Sequence, residues 1–318
     1  VGLRMLSIAP AVLSDLKASI GIDATPDGLA TCHPYVAGVR ECGMLPHAPS
    51  PRSSEPWRTY AEVLYSGAMD AATTRQILEY HQTRQGSGVQ GSRLKLGVLS
   101  GCGRDISCGT YLQTFTVHGW GYGLLQAGLV EPYLLQYLAL SAHGYTRGTW
   151  IAPETVPIDR TIVAPPFCPP AGLTAPLLLK WLLLFEDPHT HTLWFARAVP
   201  RVWLSEGEAL QVDRATSAYG EIAFALRSAL GSTGCVHANL TLPLAWAHCQ
   251  SPWPCAPPGG IALRVRPPGQ LSIKAVTIGG RAWLDFNASD YTVRVNASHL
   301  AAAGTLDAMQ SIVVSFGL

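Results

Sequence analysis

The chain has 318 residues, of which 48% are apolar and 14% are charged. It is long enough to bury one large core or two ordinary ones, which excludes intrinsic disorder. The 22 Lys and Arg nearly cancel the 21 Asp and Glu, and the basic residues are scattered singly. Neither a nucleic acid nor another polyanion is therefore an expected partner. Nothing in the sequence indicates an oligomeric state.

Before residue 195, apolar residues recur at helical spacing and predict five helices. The predicted helices cover about residues 5–16, 57–64, 71–84, 124–143 and 173–186, with Thr174 as the N-cap of the last. The two most apolar runs are interrupted by charged or polar residues and fall short of the roughly 20 apolar residues of a membrane span. We expect buried helices there and no membrane span. The chain opens at Val1 without the pattern of a signal peptide, so the natural N-terminus is expected to lie upstream.

After residue 195 the apolar period changes to two, which is typical of half-buried strands. The alternating segments are bounded by Gly, Pro, Asn or Ser, and Gly279-Gly280 is a hairpin signal. Short strands at this spacing predict an antiparallel β-sandwich. We therefore expect a helical domain at 1–192 and an all-β domain at 193–318. The predicted strands are 221–227, 236–242, 261–266, 271–278 and 291–295.

The cysteines and asparagines give the only indication of location. Eight cysteines fit a disulfide framework, and two pairs are close enough in sequence to bridge loops. These pairs are Cys102/Cys108 and Cys249/Cys255. N-glycosylation sequons begin at Asn239, Asn287 and Asn296. Together these features favour a secretory or extracellular location over a cytosolic one with free thiols.

Three clusters of aromatic and ionisable residues lie in the predicted helical half, at 56–62, 118–123 and 143–154. Trp and Tyr rings offer flat apolar faces to a sugar ring, while Arg and His bind hydroxyls. Glycines flank the rings of the second cluster and are expected to leave them exposed. The alternative is that single aromatics are core residues at helix ends. The candidate substrate-binding residues are Trp57, Arg58, His118, Trp120, Tyr122, His143, Tyr145, Arg147 and Trp150.

Hydrolysis of a glycosidic bond requires a protonated and an ionised carboxyl group. Glu154 lies in a Pro-flanked loop, where partial burial would raise its pKa as a general acid requires. Glu62 is the candidate base or nucleophile, with Glu41 and Asp159 as alternatives. This chemistry needs no cofactor. A metal site is not expected either, because no Cys-x-x-Cys pair occurs and His189-x-His191 is a single pair.

Three segments carry a resemblance to a known superfamily. They are 142–154, 173–186 and 193–204, with the sequences AHGYTRGTWIAPE, LTAPLLLKWLLLFE and LWFARAVPRVWL. They resemble the C-terminal half of bacterial and fungal proteins of the six-hairpin glycosidase superfamily. The resemblance implies an (α/α)6 toroid followed by a β-sandwich, with a sugar-processing site in the cleft of the toroid. The expected fold is therefore a partial helical toroid plus an antiparallel sandwich.

The helical part supplies about half of the dozen helices of a closed toroid, which leaves a partial chain and a degenerate toroid as alternatives. The leading functional hypothesis is a glycoside hydrolase of carbohydrate metabolism, acting on an oligo- or polysaccharide. One alternative is a polysaccharide lyase, in which His143, Tyr145 and Arg147 abstract a proton and neutralise a uronate. Another is a non-catalytic carbohydrate-binding or structural fragment.

Overall fold

The computed structural model divides into two compact units, residues 1–178 and 179–318, here named the first and second units. The predicted boundary at 192/193 lies later in the chain. The difference arises because Leu184–Glu186 forms a strand that pairs with Leu193–Phe195, so both segments belong to the second unit. The described residues are 11, 22–25, 28–36, 39–42, 62, 64–67, 69–72, 74–75, 78, 111–114, 117–145, 151–157, 167–247, 254–300 and 311–317.

The first unit contains a three-stranded antiparallel sheet that periodicity did not predict. Its strands are β1 (Ile22–Thr25), β2 (Gly28–Val36) and β3 (Val39–Cys42), in the order β1-β2-β3. The turn sequence Pro26-Asp27-Gly28 is the sequence signal for the first hairpin, in which Thr25 pairs with Gly28. The predicted first helix lies outside the described residues apart from residue 11, which is helical.

The predicted helix over 124–143 is two helices, α1 (Val117–Gln126) and α2 (Val130–His143). The chain reverses at Gly128, whose φ is 74°, a conformation that favours glycine. The Leu129 N–H donates to Leu124 O at 2.8 Å and the Gly128 N–H donates to Leu125 O at 3.1 Å. These two bonds form a Schellman motif, which satisfies the last carbonyls of α1 and ends the helix.

Helices α1, α2 and α3 (Pro169–Leu183) pack closely within the first unit. A glycine of α1 allows the close approach, and buried polar side chains of α2 donate hydrogen bonds to the backbone of the other two helices. A Cβ on Gly121 would come 2.7 Å from Leu178 Cδ2 and 3.2 Å from Tyr133 Cε2. The Tyr133 hydroxyl donates to Leu178 O, and Gln136 Nε2 donates to Val117 O at 2.6 Å. The glycines of α1 therefore allow close helix packing, which lets buried Tyr133 and Gln136 reach backbone carbonyls.

Replacement of Gly121 by alanine tests this close packing. Leu178 and Tyr133 are both fully buried, so the added methyl group displaces core atoms, and we expect the first unit to lose about 1–3 kcal/mol of stability. The matched control is Gly172→Ala in α3, where an added Cβ would meet nothing within 4 Å. The control is expected to gain roughly 0.5–1 kcal/mol from helix propensity. Denaturant unfolding of the two variants measures the difference, and equal effects would contradict the packing.

Two other features lie in the described part of the first unit. Helical residues occur within 62–65 and 71–78, and Arg75 Nη2 donates to Ala127 O at 2.7 Å, where α1 ends. Strands β4 (Tyr111–Gln113) and β5 (Thr155–Pro157) pair antiparallel. In the described part of the chain, no helix combines the length and the apolar character needed to cross a membrane.

Helix α3 differs from its prediction at both ends. It begins at Pro169 rather than at Leu173, and the predicted N-cap is wrong because Thr174 lies inside the helix, where its hydroxyl donates back to Pro170 O at 3.0 Å. Residues predicted to continue the helix form β6 (Leu184–Glu186), which pairs antiparallel with β7 (Leu193–Phe195). An apolar run does not distinguish a buried helix from a buried strand, so periodicity could not find this change.

The second unit contains two sheets. The six-stranded sheet is antiparallel throughout, in the order β13-β12-β16-β10-β9-β8, and the five-stranded sheet has the order β14-β15-β11-β7-β6. The remaining strands are β8 (Ala209–Ser217), β9 (Gly220–Ala229), β10 (Cys235–Thr241), β11 (Ile261–Arg264), β12 (Ser272–Ile278), β13 (Arg281–Trp283), β14 (Phe286–Asn287), β15 (Thr292–Val295) and β16 (Ile312–Gly317). A short helix, α4 (Ala297–Leu300), follows β15.

The sheets pack as a β-sandwich. Phe195 of β7 and Phe224 of β9 meet edge to face across the two sheets, with ring centroids 5.4 Å apart. Every predicted strand is confirmed, as is the Gly279-Gly280 hairpin, in which Ile278 pairs with Arg281. The prediction that the sandwich is antiparallel is wrong at one place, because β7 and β11 pair in parallel.

Candidate functional site

Several predicted site residues lie outside the part of the chain that can be assessed. Glu41 lies in β3 and His143 is the last residue of α2, and only the backbone of each is described. The residues outside the described ranges are Trp57, Arg58, Arg147, Trp150 and Asp159. The roles predicted for these five residues, and for Glu41 and His143, therefore stay predictions.

Trp120 is a core residue. It lies in α1 and its side chain is fully buried, as are those of Val117 and Leu124 on the same helix. The expectation that flanking glycines expose the ring is wrong here, because the glycines lie within α1. A Cβ on Gly123 would come 3.0 Å from Leu64 Cδ2, so this glycine allows a close approach of the 62–65 segment. Trp120 has no ring face available for a sugar.

Tyr145 is also buried, and its hydroxyl is inserted into the backbone of α3. The hydroxyl donates to Ala171 O at 2.9 Å and lies 3.2 Å from Gly172 O, while the Ala175 N–H donates to the hydroxyl oxygen at 2.9 Å. Pro176 has no N–H and cannot bond Gly172 O, four residues earlier in the helix. Tyr145 therefore repairs the hydrogen bonding that the proline disrupts. Burial raises the pKa of Tyr145, so the hydroxyl stays protonated at neutral pH.

This structural role predicts that Tyr145→Phe destabilises α3. Loss of the hydroxyl removes the donor shared by Ala171 O and Gly172 O and the acceptor of the Ala175 N–H, and we expect a cost of about 1–3 kcal/mol. Hydrogen exchange of the α3 backbone, read by mass spectrometry, would show faster exchange at 169–183. Tyr137→Phe is the matched control, because Tyr137 is a half-buried tyrosine of the adjacent helix α2. The control is expected to change stability by less than about 0.5 kcal/mol.

A double-mutant cycle isolates the proposed cause. Pro176→Ala restores an N–H that can donate to Gly172 O, so it should stabilise the Tyr145→Phe variant more than it stabilises the wild type. Additive effects of the two substitutions would show that the hydroxyl does not compensate for the proline.

The aromatic cluster, defined here as Tyr65, His118 and Tyr122, lies at the surface of the first unit. Its ring pairs are edge to face, with centroids 5.0 Å apart for Tyr65 and His118 and 5.4 Å apart for Tyr65 and Tyr122. Tyr65 is 43% exposed, while His118 and Tyr122 are half-buried. His118 and Tyr122 are four residues apart in α1 and therefore share a helix face. The structure thus brings together two of the predicted substrate-binding residues.

Tyr65 is the member of the cluster that sequence reasoning missed. Leu64 beside it is almost completely buried, so consecutive residues of this helical segment face the core and the surface. The available signal was its spacing, because Tyr65 follows Glu62 by three residues and such residues share a helix face. Glu62 is exposed, and its carbonyl accepts the Ser66 N–H at 2.9 Å. A predicted catalytic carboxyl group is thus on the same segment as the most exposed ring of the cluster.

Glu154 lies immediately before β5, and Thr114 fixes its backbone. The Glu154 carbonyl accepts the Thr114 hydroxyl at 2.7 Å and the Thr114 N–H at 3.2 Å. The same hydroxyl also contacts Pro153 O. Thr114 is fully buried and directly follows β4, so the β4–β5 ladder continues up to Glu154. The glutamate side chain is half-buried, on a backbone that Thr114 holds by hydrogen bonds.

Among the described residues, the basic side chain whose pKa is lowered most lies in the second unit. Arg197 stacks on Trp194 with its Cζ 3.7 Å from the ring centroid, and burial lowers its pKa to about 9. Neighbouring Arg264 lowers this pKa further, while Asp187 and Asp290 oppose the shift. Arg197 and Trp194 are less than a tenth exposed, so the stack is part of the sandwich core.

In the described ranges, no group of three or more His, Cys, Asp or Glu is placed to hold a metal ion.

No protein-family model matches the chain, and no curated protein matches it. Its structural neighbours include a GH127 beta-L-arabinofuranosidase from Geobacillus stearothermophilus T6, with a TM-score of 0.37 and 13% identity. Another is a GH127 beta-arabinofuranosidase with a TM-score of 0.33 and 10% identity. Each match covers 84% of this chain but only 42% of the neighbour, so the chain spans less than half of their length. Backbone overlap at these TM-scores is too small to support an inference about function, which must come from the residues of this chain.

Proposed function

We propose that the protein is a glycoside hydrolase-like enzyme that acts on a carbohydrate through two carboxyl groups. The observation that carries the proposal is the aromatic cluster, in which Tyr65 keeps 43% of its surface exposed beside His118 and Tyr122. An exposed phenol ring can lie against the C–H face of a sugar ring, while a neighbouring imidazole and hydroxyl bind sugar hydroxyl groups.

The proposed chemistry assigns Glu154 as the general acid and Glu62 as the base or nucleophile. Glu154 would protonate the glycosidic oxygen as the bond to the anomeric carbon breaks. Glu62 would either activate water or attack the anomeric carbon, depending on the separation of the carboxyl groups. Support comes from the half-buried side chain of Glu154 on a fixed backbone and from the position of Glu62 one helical turn before Tyr65. Asp159 and Glu41 remain alternatives for the second carboxyl group.

Two other functions would give different products. A polysaccharide lyase that uses Tyr145 as its base is disfavoured, because the Tyr145 hydroxyl is bonded to the backbone of α3. A non-catalytic carbohydrate-binding protein would bind without turnover. Incubation with a panel of neutral and uronate-containing polysaccharides separates the three cases. Hydrolysis releases reducing ends without ultraviolet absorbance, a lyase produces an absorbing double bond, and a binding protein does neither. Failure to release reducing ends from any polysaccharide or aryl glycoside would contradict the proposal.

The aromatic cluster makes its own prediction about binding. Tyr65→Ala removes the most exposed ring of the cluster and should weaken the binding of an oligosaccharide about 2- to 10-fold, the value of one aromatic contact. Titration calorimetry with the best ligand of the panel measures the change. Phe167→Ala is the matched control, since Phe167 is an exposed ring, at 69%, outside the cluster. Equal affinities for the Tyr65→Ala variant and the wild type would show that the cluster does not bind sugar.

A further inference from the structure

Asparagine occurs in this chain only within N-glycosylation sequons. The chain contains three asparagines, Asn239, Asn287 and Asn296, and each is followed two residues later by Ser or Thr, with no intervening proline. Ser and Thr number 22 each among 318 residues. Chance would therefore place a hydroxyl residue there for only about one asparagine in seven. Three sequons from three asparagines are therefore more than chance placement predicts.

From this pattern and from the positions described below, we infer that Asn239, Asn287 and Asn296 are acceptor sites for N-linked oligosaccharides. The donor would be an oligosaccharide linked to a lipid through a diphosphate. The bond between the anomeric carbon and the diphosphate oxygen breaks, and the lipid diphosphate leaves with the electron pair. A bond from that carbon to Asn Nδ2 forms, and the amide nitrogen loses one proton to a base of the transferase. A transferase of the secretory pathway would carry out this step, so the inference does not depend on any activity of the chain itself.

Asn239 lies on the solvent side of the six-stranded sheet. Residues of β10 alternate between exposed and buried, and both Asn239 and Thr241 are on the exposed side, while Ala238 and Leu240 are buried. The cross-strand partner of Asn239 is Ala225 of β9, whose small side chain leaves room beside the amide. A sugar attached at Asn239 would extend into solvent without displacing the core.

The other two acceptors lie at opposite ends of β15, near one edge of the five-stranded sheet, since Asn287 pairs with Thr292 at the start of that strand. Asn287 is in the edge strand β14, and Asn296 directly follows β15, the partner of β14. In both sequons the serine hydroxyl donates to the asparagine Oδ1 at 2.7 Å, so the hydroxyl lies against the amide that would be modified. Asn296, Ser289 and Ser298 are exposed, and Asn287 is half-buried.

These positions suggest what the oligosaccharides would do. An edge strand presents unpaired backbone groups that can pair with another chain, and a bulky hydrophilic group there prevents such pairing. Among the described cysteines, Cys255 is disulfide-bonded, as is common in the oxidising compartment in which N-glycosylation takes place, while Cys168 and Cys235 are free thiols.

The test is secretion of the full chain from a eukaryotic host behind a leader peptide, followed by mass spectrometry. Removal of the oligosaccharides with an amidase in heavy-oxygen water converts each modified asparagine to a labelled aspartate. We expect label at Asn239, Asn287 and Asn296. A secreted chain with the mass of its bare sequence would overturn the inference.

Variants assign each acceptor without altering the asparagine. Thr241→Ala, Ser289→Ala and Ser298→Ala should each remove the label from one site and leave the other two modified. Thr216→Ala is the control, because Thr216 is an exposed threonine of the same sheet outside any sequon. Retention of the label at Asn239 in Thr241→Ala would contradict the assignment. Since site occupancy is also read on the wild-type chain, the result does not depend on the folding of a variant.

Discussion

Replacement of Gly260 by alanine is expected to prevent stable folding of the second unit. Gly260 directly precedes β11 and has a φ of 74°, and a Cβ there would overlap Val295 O and lie 2.8 Å from Asn296 Cα. These are backbone atoms of β15 and the residue after it, so no side chain can move to make room. Backbone strain and overpacking together should cost about 3–5 kcal/mol.

The site of this glycine explains the size of the effect. The Gly260 carbonyl accepts the Leu193 N–H at 3.0 Å, and its own N–H donates to Pro257 O at 2.8 Å. Gly260 therefore lies where β7 and β15 flank the start of β11, the central strand of the five-stranded sheet. Any shift that relieves the overlap with Val295 separates the β11–β15 ladder, in which Ile261 pairs with Val295.

Gly269→Ala is the matched control for Gly260→Ala. Gly269 has nearly the same φ, 75°, but an added Cβ would meet nothing within 4 Å. The Gly269→Ala variant should therefore lose only the stability that a left-handed backbone conformation costs a residue other than glycine, about 1–2 kcal/mol. Thermal unfolding and limited proteolysis of the purified variants give the comparison. A similar loss in both variants would show that conformation, rather than the approach to Val295, determines the need for glycine.

The sandwich could be predicted from the sequence because most of its strands are half-buried. In β9 and β10, buried Phe224 and Leu240 alternate with exposed or half-buried neighbours, and this pattern is visible in the sequence. The strand β7 is apolar and buried along its whole length, so it carries no alternation, whereas β11 alternates in sequence but is also fully buried because Arg264 lies in the core. Their parallel pairing, and the strand β6 beside them, could not be read from a period of two.

The candidate site was only partly predictable, because a glycine beside an aromatic residue can either expose the ring or allow a helix to pack closely. In the run 118–123, the sequence predicts that glycines expose the aromatic rings, but Gly121 and Gly123 let α1 approach Leu178 and Leu64. Trp120 is consequently buried, while His118 and Tyr122 are half-buried beside Tyr65. Residue type identified the aromatic segment, and only the helix packing determines which rings can meet a ligand.

The proposed general acid makes the prediction with the largest effect on activity. Glu154→Gln preserves the shape of the side chain but cannot supply a proton, so we expect turnover of a natural polysaccharide to fall about 10²- to 10⁴-fold. Ligand affinity should remain within a factor of about two, because the interaction lost is needed chiefly in the transition state. Reducing-end release and titration calorimetry measure the two quantities. Glu131→Gln, at an exposed glutamate of α2, is the matched control and should retain full turnover.

The leaving group distinguishes an acid from any other role for Glu154. A p-nitrophenolate departs without protonation, so Glu154→Gln should slow cleavage of a p-nitrophenyl glycoside far less than cleavage of a polysaccharide. Glu62→Gln, at the proposed base or nucleophile, should slow both substrates alike, because its role does not depend on the leaving oxygen. Equal losses on both substrates for Glu154→Gln would remove Glu154 from the role of acid. Thr114 binds the backbone of Glu154 rather than its carboxyl group, so the substitution does not remove the hydrogen bonds that join these two residues beside β4 and β5.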